Sequence, residues 1–544
     1  MKAAELFVKS LEASNVKYVF GLPGEENLAL VEAIRKSSIK MITTRDEQTA
    51  VFMAATVGRL TGHVGVALST LGPGATNLVT GVAYAQLGAM PLLVITGQKP
   101  IKRSKQGKFQ IIDVVGMMRP ITKFSDTIVS AERIPSSVYH AIRVAEKERP
   151  GAAHLEVPED IAEEETGAKP IIWQKTRRPA PDEKAINALV EAVESAKSPI
   201  LLLGSGANRR LIRKQLNNFI NKTDIPFVTT QLGKGVIDES DSRFIGTAAV
   251  SEKDYVHAAL SRADLILMVG HDIIEKPPVL EIRDDQKLVH IDFSPADIDD
   301  IYVPDLEVVG DISYAFWALT ERVETRDWDF SIFYKAKEKL QESINDNADS
   351  DDFPIKPQRL IGTLRKVLPR DAMLSLDNGM YKLWIARNYP AYEQNTVLLD
   401  NALATMGAGL GAAMSSKIIF PERKAVVVAG DGGFLMNLAD LETAKRLGLD
   451  MTIVIVRDNG YGMIKWKQDA MKLADFGLNF SNPDFVKLAE SFGASGYSPK
   501  SADDFEKILD KCVNAKGIHI IDLPIDYSEN EKYFGRDLAS QVKD

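Results

Sequence analysis

Two aspartates in glycine-containing tracts could together bind a divalent cation. Asp431 lies in the tract 430–433 after the apolar run 425–428, and Asp458 follows the apolar run 452–456. The carboxyl ends of neighbouring parallel strands face one crevice, so the two carboxylates can converge. Mg²⁺ prefers oxygen ligands and often takes some from phosphates, while glycines and a helix N-terminus suit a phosphate. The spacing therefore predicts a magnesium–diphosphate site, although either turn alone is as consistent with an ordinary strand end.

A third carboxylate, Glu47, opens the apolar helical segment 47–60 directly after the β-prone run 39–43. Taken alone, this placement is explained by the preference of a helix N-terminus for negative charge. Two turns at neighbouring strand ends, 21–24 and 72–77, are rich in glycine and proline. Both turns, like the segment that Glu47 opens, follow predicted strands, so Glu47 has a second interpretation besides that of a helix N-terminus.

Apolar runs and amphipathic segments alternate along the chain, which indicates βα units around parallel sheets. We predict an α/β protein of three doubly wound domains with mostly parallel sheets, at 1–165, 184–342 and 357–544, joined by polar linkers at 163–183 and 343–356. The predicted helices of the first domain are 3–11, 27–35, 47–60 and 75–86. The predicted strands are 17–20, 39–43, 64–68, 91–96, 200–203, 226–229, 265–269, 288–291, 373–376, 425–428, 452–456 and 519–523.

Composition and charge argue against several classes of protein. The 544-residue chain has a net charge of −9 and one cysteine, Cys512. A nucleic-acid binder would show a basic face, and one cysteine cannot form an intrachain disulfide. We expect Cys512 to be a buried apolar residue. No apolar run approaches the ~18 residues of a membrane span, and Glu5 interrupts the N-terminal segment, unlike a signal peptide. We expect a cytoplasmic protein that binds neither nucleic acid nor a membrane.

These segments together resemble the thiamine-diphosphate-dependent enzymes. The family signature opens with Gly-Asp-Gly and closes with an Asn-rich turn, where this chain has Asp458-Asn459 in place of the frequent Asn-Asn. The segment 45–50 resembles the family tract that supplies the activating carboxylate. The resemblance implies that Glu47 hydrogen-bonds the cofactor's pyrimidine and promotes the tautomer that deprotonates the thiazolium. It spans essentially the whole chain and implies pyrimidine-binding, central and diphosphate-binding domains in that order.

The resemblance also implies which residues hold the cofactor. The carboxylates of Asp431 and Asp458 and the carbonyl of Gly460 would bind Mg²⁺. Met406, in the tract 404–407, would support the bent cofactor, and its alternative is an ordinary core methionine. In this family the two halves meet across a subunit interface, which implies at least a homodimer; a homotetramer is common among relatives. The other implied cofactor-binding residues are Pro73, Asn77, Asn378, Tyr381, Gly430, Gly432, Gly433, Tyr461, Gly462 and Met463.

Family members share the decarboxylation of a 2-keto acid and differ in the fate of the resulting enamine. Aldehyde-releasing members typically use a His-His pair, and the matching region 107–110 contains no histidine. The segments 109–110, 120–123 and 491–494 are similar to acetolactate synthases, in which the enamine attacks a second pyruvate to give 2-acetolactate. Gln110 would then orient an acceptor oxygen and Phe109 would line the pocket. Their alternatives are a surface amide and a core aromatic.

The sequence of the central domain bears on whether the protein binds a second cofactor. Biosynthetic members bind FAD there, whereas the tract 270–278, with Glu275 followed by Pro277, is more similar to the FAD-free catabolic type. The turn 204–206 is too weak a motif to require a dinucleotide. We predict thiamine diphosphate and Mg²⁺ without FAD. The alternatives are an FAD-dependent pyruvate oxidase, another thiamine-dependent carboligase or decarboxylase, and a binding protein with a vestigial site, which the three intact carboxylates disfavour. The acceptor stays open among pyruvate, 2-ketobutyrate and a small aldehyde.

Overall fold

The computed structural model describes residues 1–102, 107–174, 176–209, 212–248, 250–251, 253–276, 278–279 and 281–543. The described residues form three six-stranded sheets, and neighbouring strands within each sheet are parallel. The predicted α/β class is therefore confirmed. The chain divides into two compact units, the first containing 1–177, 402–422 and 435–449 and the second containing 178–401, 423–434 and 450–544. Each unit is described by itself below.

The first sheet has the strand order β2-β1-β3-β4-β6-β5. Its turn after β1 needs glycine, because a Cβ on Gly21 (φ +152°) would lie 1.8 Å from the carbonyl oxygen of Leu68. The predicted helix 75–86 is wrong in its bounds. It begins earlier, at Pro73, which suits a first helical turn, and it is interrupted at Leu78. The elements are β1 (Tyr18–Gly21), β2 (Lys40–Thr43), β3 (Gly65–Ser69), β4 (Leu92–Gln98), β5 (Phe124–Thr127), β6 (Ala152–Pro158), α1 (Ala3–Ala13), α2 (Leu28–Arg35), α3 (Glu47–Thr61), α4 (Pro73–Asn77), α5 (Val79–Leu87), α6 (Val114–Met118), α7 (Ile134–Glu146) and α8 (Glu159–Ala162).

The second sheet has the strand order β12-β11-β10-β7-β8-β9. Its central strand β7 is wholly buried, with Leu201 and Ile200 in separate apolar clusters, as expected for a strand covered on both faces. The elements are β7 (Pro199–Leu203), β8 (Phe227–Thr229), β9 (Phe244–Thr247), β10 (Leu265–Val269), β11 (Lys287–Asp292), β12 (Leu306–Val309), α9 (Glu183–Ser195), α10 (Ser205–Arg209), α11 (Arg213–Thr223), α12 (Tyr255–Arg262), α13 (Ile312–Arg322) and α14 (Ser331–Asn345).

The third sheet has the strand order β14-β13-β15-β16-β18-β17. Strands β15 and β16 are direct neighbours, with Gly430 opposite Val456, so both predicted aspartate tracts leave one sheet edge side by side. The helix expected after Gly433 begins at Asp431 and is followed by a separate helix from Leu441. The elements are β13 (Met373–Leu376), β14 (Val397–Leu398), β15 (Ala425–Gly430), β16 (Met451–Arg457), β17 (Ser495–Tyr497), β18 (Ile518–Pro524), α15 (Pro357–Val367), α16 (Met380–Asn388), α18 (Asp431–Met436), α20 (Gly462–Ala470), α21 (Phe485–Ser491) and α22 (Ala502–Asn514). Two helices from this part of the sequence belong to the first unit: α17 (Ala408–Ile419) and α19 (Leu441–Arg446).

Cys512 is buried and unbridged, as predicted, and burial raises the pKa of its thiol to about 11, which leaves the thiolate scarce at neutral pH. Within the described ranges, no helix combines the length and the apolar character that crossing a bilayer requires.

A buried carboxylate, Glu275, lies beside the point where the strand order of the second sheet reverses. It accepts hydrogen bonds from the backbone N–H of Ser205 (3.0 Å), just after β7, and of Leu232 (3.4 Å). Burial raises the pKa of Glu275 to about 7, and the charge of Asp272 adds to the shift. The carboxyl group is therefore partly protonated near neutral pH. Pro277, the other residue of this predicted tract, lies outside the described residues.

The raised pKa of Glu275 predicts a pH-dependent contribution to stability. An acid whose folded-state pKa lies above its unfolded value of 4.5 stabilises the fold fully below that value and loses this contribution as pH rises through about 7. Glutamine resembles the protonated acid, so Glu275→Gln should flatten the fall of the thermal midpoint between about pH 5 and about pH 8. Glu191→Gln, at an exposed position on α9, is the matched control and should keep the wild-type profile. Parallel profiles for wild type and Glu275→Gln would contradict the assignment.

Candidate active site

Asp431, the first residue of α18, is held at the end of β15 with 1% of its surface exposed. Its Oδ2 accepts hydrogen bonds from the backbone N–H of Asn459 (2.8 Å) and from Nδ2 of Asn482 (2.8 Å). Its Oδ1 accepts one from the N–H of Gly432 (3.0 Å). These contacts connect the end of β15 with the turn after β16 and fix the orientation of the carboxylate.

Asp458, at the end of β16, lies close enough to Asp431 for their charges to interact. Burial and then the charge of Asp431 raise the pKa of Asp458 to about 7, and burial also raises the pKa of Asp431. A cation between two such groups would favour both ionised forms. No cluster of three or more His, Cys, Asp or Glu side chains suited to a metal ion occurs within the described ranges. When phosphates also bind Mg²⁺, the protein usually contributes only one or two carboxylate ligands.

The turn after β16 brings backbone close to these carboxylates. A Cβ on Gly462 would lie 2.1 Å from Oδ2 of Asp458, so this position requires glycine. Gly460 pairs with Asn479 in an isolated antiparallel bridge, which fixes the turn from its other side. The remaining tract residues lie around the same sheet edge: Gly430 ends β15, Gly432 and Gly433 belong to the first turn of α18, and Tyr461 and Met463 flank the start of α20.

Asn378 and Tyr381 lie beside the same edge, at the end of β13. Tyr381 is 3% exposed, and a Cβ on Gly430 would approach its ring to 3.3 Å. Burial raises the pKa of Tyr381 well above its usual range, so the phenol keeps its proton. Lys382 donates hydrogen bonds from Nζ to Oδ1 of Asn378 (2.7 Å) and to the carbonyl of Asp400 (2.8 Å). Burial lowers the pKa of Lys382 to about 8.

Glu47 is the first residue of α3 in the first unit and is 8% exposed. Its neighbour Asp46 caps the helix by accepting a hydrogen bond from the N–H of Gln48 (2.7 Å). The side chain of Glu47 therefore does not cap the helix. Its Oε2 accepts a hydrogen bond from Nδ2 of Asn77 (3.1 Å), and a Cβ on Gly74 would lie 3.1 Å from its Oε1. The structure thus brings together Glu47 and the turn 72–77.

The turn 72–77 also contacts the segment predicted to select the reaction. A Cβ on Gly72 (φ +53°) would lie 2.9 Å from the carbonyl oxygen of Gln110, which places Gln110 against Gly72, the residue before Pro73. Gln110 is exposed and has a left-handed φ of 60°. Phe109 is 72% exposed, so the described chain does not enclose it in a pocket. Its predicted alternative, a core aromatic, is wrong.

Met406 precedes α17 in a loop that belongs to the first unit. Ala404 (φ 56°) and Gly407 (φ 89°) both have left-handed backbone conformations, so Met406 lies between two sharp changes of chain direction. A Cβ on Gly407 would approach Oδ1 of Asn437 to 2.2 Å. Met406 is half-buried, unlike a fully enclosed core methionine.

The predicted site residues fall into two groups. One group belongs to the first unit and consists of Glu47, Pro73, Asn77, Phe109, Gln110 and Met406. The other belongs to the second unit and consists of Asn378, Tyr381, Gly430, Asp431, Gly432, Gly433, Asp458, Gly460, Tyr461, Gly462 and Met463.

Several positioning residues were missed by the sequence analysis. Asn437 donates a hydrogen bond from Nδ2 to Oγ1 of Thr49 (2.7 Å), and Oδ1 of Asp440 accepts one from the N–H of Arg45 (2.8 Å). Both contacts hold the N-terminal turn of α3, which carries the predicted activating carboxylate. In the second group, Asn482 holds the carboxylate of Asp431, and Lys382 holds the side chain of Asn378. Asn437 and Asp440 lie almost 400 residues from their partners, and no motif or periodicity marks them.

Models of one protein family match most of the chain in three segments. Residues 1–117 match the N-terminal TPP binding domain of thiamine pyrophosphate enzymes, residues 186–319 match their central domain, and residues 377–523 match their C-terminal TPP binding domain. Each segment contains most of one of the three sheets, and the first and last contain all the predicted site residues.

Individual relatives are similar over nearly the full length. The chain is 33% identical to the catabolic acetolactate synthase of Raoultella terrigena, across 99% of this chain and 98% of the relative. It is 33% identical to the acetolactate synthase of Bacillus subtilis, across 97% and 94%. It is 30% identical to the acetolactate synthase isozyme 3 large subunit of Escherichia coli, across 97% and 96%.

Proposed function

We propose a specific reaction for this chain, which belongs to the thiamine pyrophosphate enzyme family: it condenses two molecules of pyruvate into 2-acetolactate and CO₂. The observation that carries the proposal is its similarity to acetolactate synthases across 99% of the chain, including both groups of site residues. The absence of histidine from the segment 107–110 supports carbon–carbon bond formation over release of an aldehyde.

The second unit fits a magnesium diphosphate. Asp431 is buried and Asp458 is half-buried. A cation would relieve the repulsion by which the charge of Asp431 raises the pKa of Asp458, and neither residue has a basic partner among the contacts that hold it. We infer that both bind Mg²⁺, together with the Gly460 carbonyl and phosphate oxygens. Gly462 leaves room beside Asp458 that any side chain would fill.

The first unit fits the pyrimidine of the same cofactor. When bound, thiamine diphosphate would supply the carbon nucleophile and would stabilise the electron pair that remains after CO₂ leaves. Glu47 would hold a proton on the pyrimidine ring, because its carboxylate is buried and its other oxygen is occupied by Asn77. Met406 would support the bent cofactor. Gln110, against Gly72, would orient the second pyruvate, with Phe109 covering the site.

We infer that the active enzyme contains at least two copies of the chain. Family resemblance implies that Glu47 of one copy serves the diphosphate group held by the other. The placement of Glu47 and Asp431 in different compact units is compatible with this arrangement. The three domains would have the bounds 1–165, 184–342 and 357–544.

We also infer that catalysis requires no flavin. Ligands of doubly wound sheets bind where the strand order reverses, and the diphosphate of a dinucleotide would lie at the turn after the first strand. The Glu275 carboxyl group already accepts the Ser205 N–H at that turn. A buried acid in this place disfavours a second anion. When ionised it repels the anion, and in either form it already occupies the Ser205 N–H.

The reaction is tested by measuring all products of pyruvate together. The purified protein with thiamine diphosphate and Mg²⁺ should release one CO₂ and form one acetolactate for every two pyruvates consumed, without oxygen uptake or flavin absorbance. Acetaldehyde as the main product would instead identify a decarboxylase. Acetyl phosphate or acetate formed with oxygen uptake and flavin absorbance would identify an oxidase. Replacing half of the pyruvate with 2-ketobutyrate would then define the acceptor.

A further inference from the structure

A cavity of about 580 Å³ lies in the second unit, between the edge strand β9 and helices α14, α15 and α16. Its size falls within the range of small-molecule sites. Its lining contains none of the residues proposed to hold the cofactor or the metal. The proposed reaction therefore leaves this cavity without a role.

Two buried amide groups in the lining have a polar atom without a hydrogen-bond partner among the described residues. Gln358 is 1% exposed, and its Oε1 has no partner, although its Nε2 donates to Oε2 of Glu529 (2.6 Å). Asn388 is 6% exposed, and its Nδ2 has no partner. A buried unpaired polar atom costs roughly 1–3 kcal/mol, so two of them in one cavity indicate a polar ligand or water there.

Most charged side chains around the cavity are already paired with an opposite charge. The pairs are Lys234 with Glu239 (2.8 Å), Arg243 with Asp241 (2.6 Å), Arg387 with Asp254 (2.7 Å), and Lys366 with Glu506. All four contribute a lining residue. None of these pairs leaves a net charge for a ligand.

Two cations of the lining lack such a carboxylate. Lys337 donates a hydrogen bond to the carbonyl of Ser242, and burial lowers the pKa of Lys337. The charge of Asp241 opposes this shift, but Asp241 forms its salt bridge with Arg243. Arg365 donates to the carbonyl of Leu368 (2.6 Å) and stacks over the ring of Tyr392 at 4.5 Å. Neither forms a salt bridge among the described residues. Carbonyls and rings do not neutralise a cation, so this wall attracts an anion.

The remaining walls are apolar. One of them is formed by α15, which has a glycine where another residue would place a side chain in the cavity. Leu340 and Ile361 are buried aliphatic residues, and Phe244 and Tyr392 contribute rings. Gly362 lies inside α15, where glycine costs about 1 kcal/mol relative to alanine. A Cβ at this position would meet only the carbonyl oxygen of Ala348, at 3.5 Å. The glycine therefore keeps space open in the cavity rather than avoiding a clash.

We propose that this cavity binds a small organic anion, with a carboxylate or phosphate group directed to Lys337 and Arg365 and an apolar body against Leu340, Ile361 and Tyr392. The Gln358 and Asn388 amides supply one acceptor and one donor for polar atoms of the same ligand. The site is separate from the residues proposed for catalysis, so its ligand acts as an effector and not as a substrate.

Calorimetric titration of the full-length protein with 1-naphthyl phosphate and with 1-naphthoate tests the proposal. At least one of them should bind with one site per chain. Both 1-naphthol, which lacks the anionic group, and inorganic phosphate, which lacks the apolar body, should bind at least about tenfold more weakly. Saturation with thiamine diphosphate and Mg²⁺ should leave this binding unchanged. Preference between the two probes distinguishes a phosphate ligand from a carboxylate ligand.

Two variants locate the binding. Lys337→Met keeps the aliphatic stem and should weaken binding about tenfold, as expected for loss of one charge-assisted contact. Lys335→Met, at an exposed position on the same helix, is the matched control and should bind like wild type. Gly362→Leu should fill the cavity and abolish binding, while the thermal midpoint stays equal or rises, since leucine favours a helix over glycine. Failure of both naphthyl anions to bind, or binding that survives Gly362→Leu in a folded protein, would overturn the proposal.

Discussion

Replacement of Glu47 by glutamine is expected to lower turnover of pyruvate at least about a hundredfold, the usual scale of general acid–base assistance. Glutamine keeps the size of the side chain and can still accept the hydrogen bond from Asn77, but it cannot take a proton from the cofactor's ring. Affinity for thiamine diphosphate should change little, because that affinity comes mainly from the diphosphate and the metal. Steady-state rates and calorimetric titration of the cofactor measure the two quantities separately.

The neighbouring residue provides a matched control for this variant. Asp46 caps the same helix through the N–H of Gln48, and asparagine is an equally good N-cap. Asp46→Asn therefore removes a carboxylate one position away without removing the cap, and it should keep turnover within about twofold of wild type. Full activity in Glu47→Gln would refute the role of Glu47. Equal losses in both variants would instead indicate a general effect of charge at the start of α3.

Asp431→Asn should lower the Mg²⁺-dependent affinity for thiamine diphosphate by at least about a hundredfold, because a neutral amide is a poor ligand for a hard cation. Without cofactor, the same variant should change stability much less, because two effects oppose each other. The substitution removes one of two neighbouring like charges and so lowers the pKa of Asp458, which the charge of Asp431 now raises. The amide nitrogen, however, cannot accept a hydrogen bond as the replaced oxygen does from Gly432 or Asn459. Calorimetric titration at fixed Mg²⁺, with thermal midpoints of the cofactor-free proteins, measures both effects.

A large loss of cofactor affinity with a small change in stability separates loss of a ligand from loss of the fold. Asp484→Asn, at the exposed N-cap of α21 in the same unit, is the control and should alter neither quantity, since asparagine also caps helices. Unchanged cofactor affinity in Asp431→Asn would remove this residue from the metal site. A strongly lowered midpoint without cofactor would assign Asp431 a mainly structural role.

Local sequence patterns predicted the elements that carry the two sets of site residues. Strands β15 and β16 are apolar runs that end in Asp-Gly and Asp-Asn-Gly tracts, and both are almost wholly buried, as expected for parallel strands covered on both faces. The start of α3 at Glu47 was predicted because a polar residue precedes a long apolar helix. The exact bounds of α4, α5 and α18 were not, because Pro73 and the glycines of 430–433 are compatible with both a turn and a first helical turn.

The sequence by itself determined the α/β class, the adjacency of Asp431 and Asp458, and the resemblance that links them to a diphosphate. Those conclusions rest on periodicity and spacing, which act over a few tens of residues. Only the tertiary structure revealed that Asn437 and Asp440 hold the start of α3, that Asn482 orients Asp431, and that the charge of Asp431 raises the pKa of Asp458. It also revealed the cavity around Lys337. Hydrogen bonds, burial and electrostatic repulsion between residues far apart in the chain depend on distances in space, which no local pattern of residues encodes.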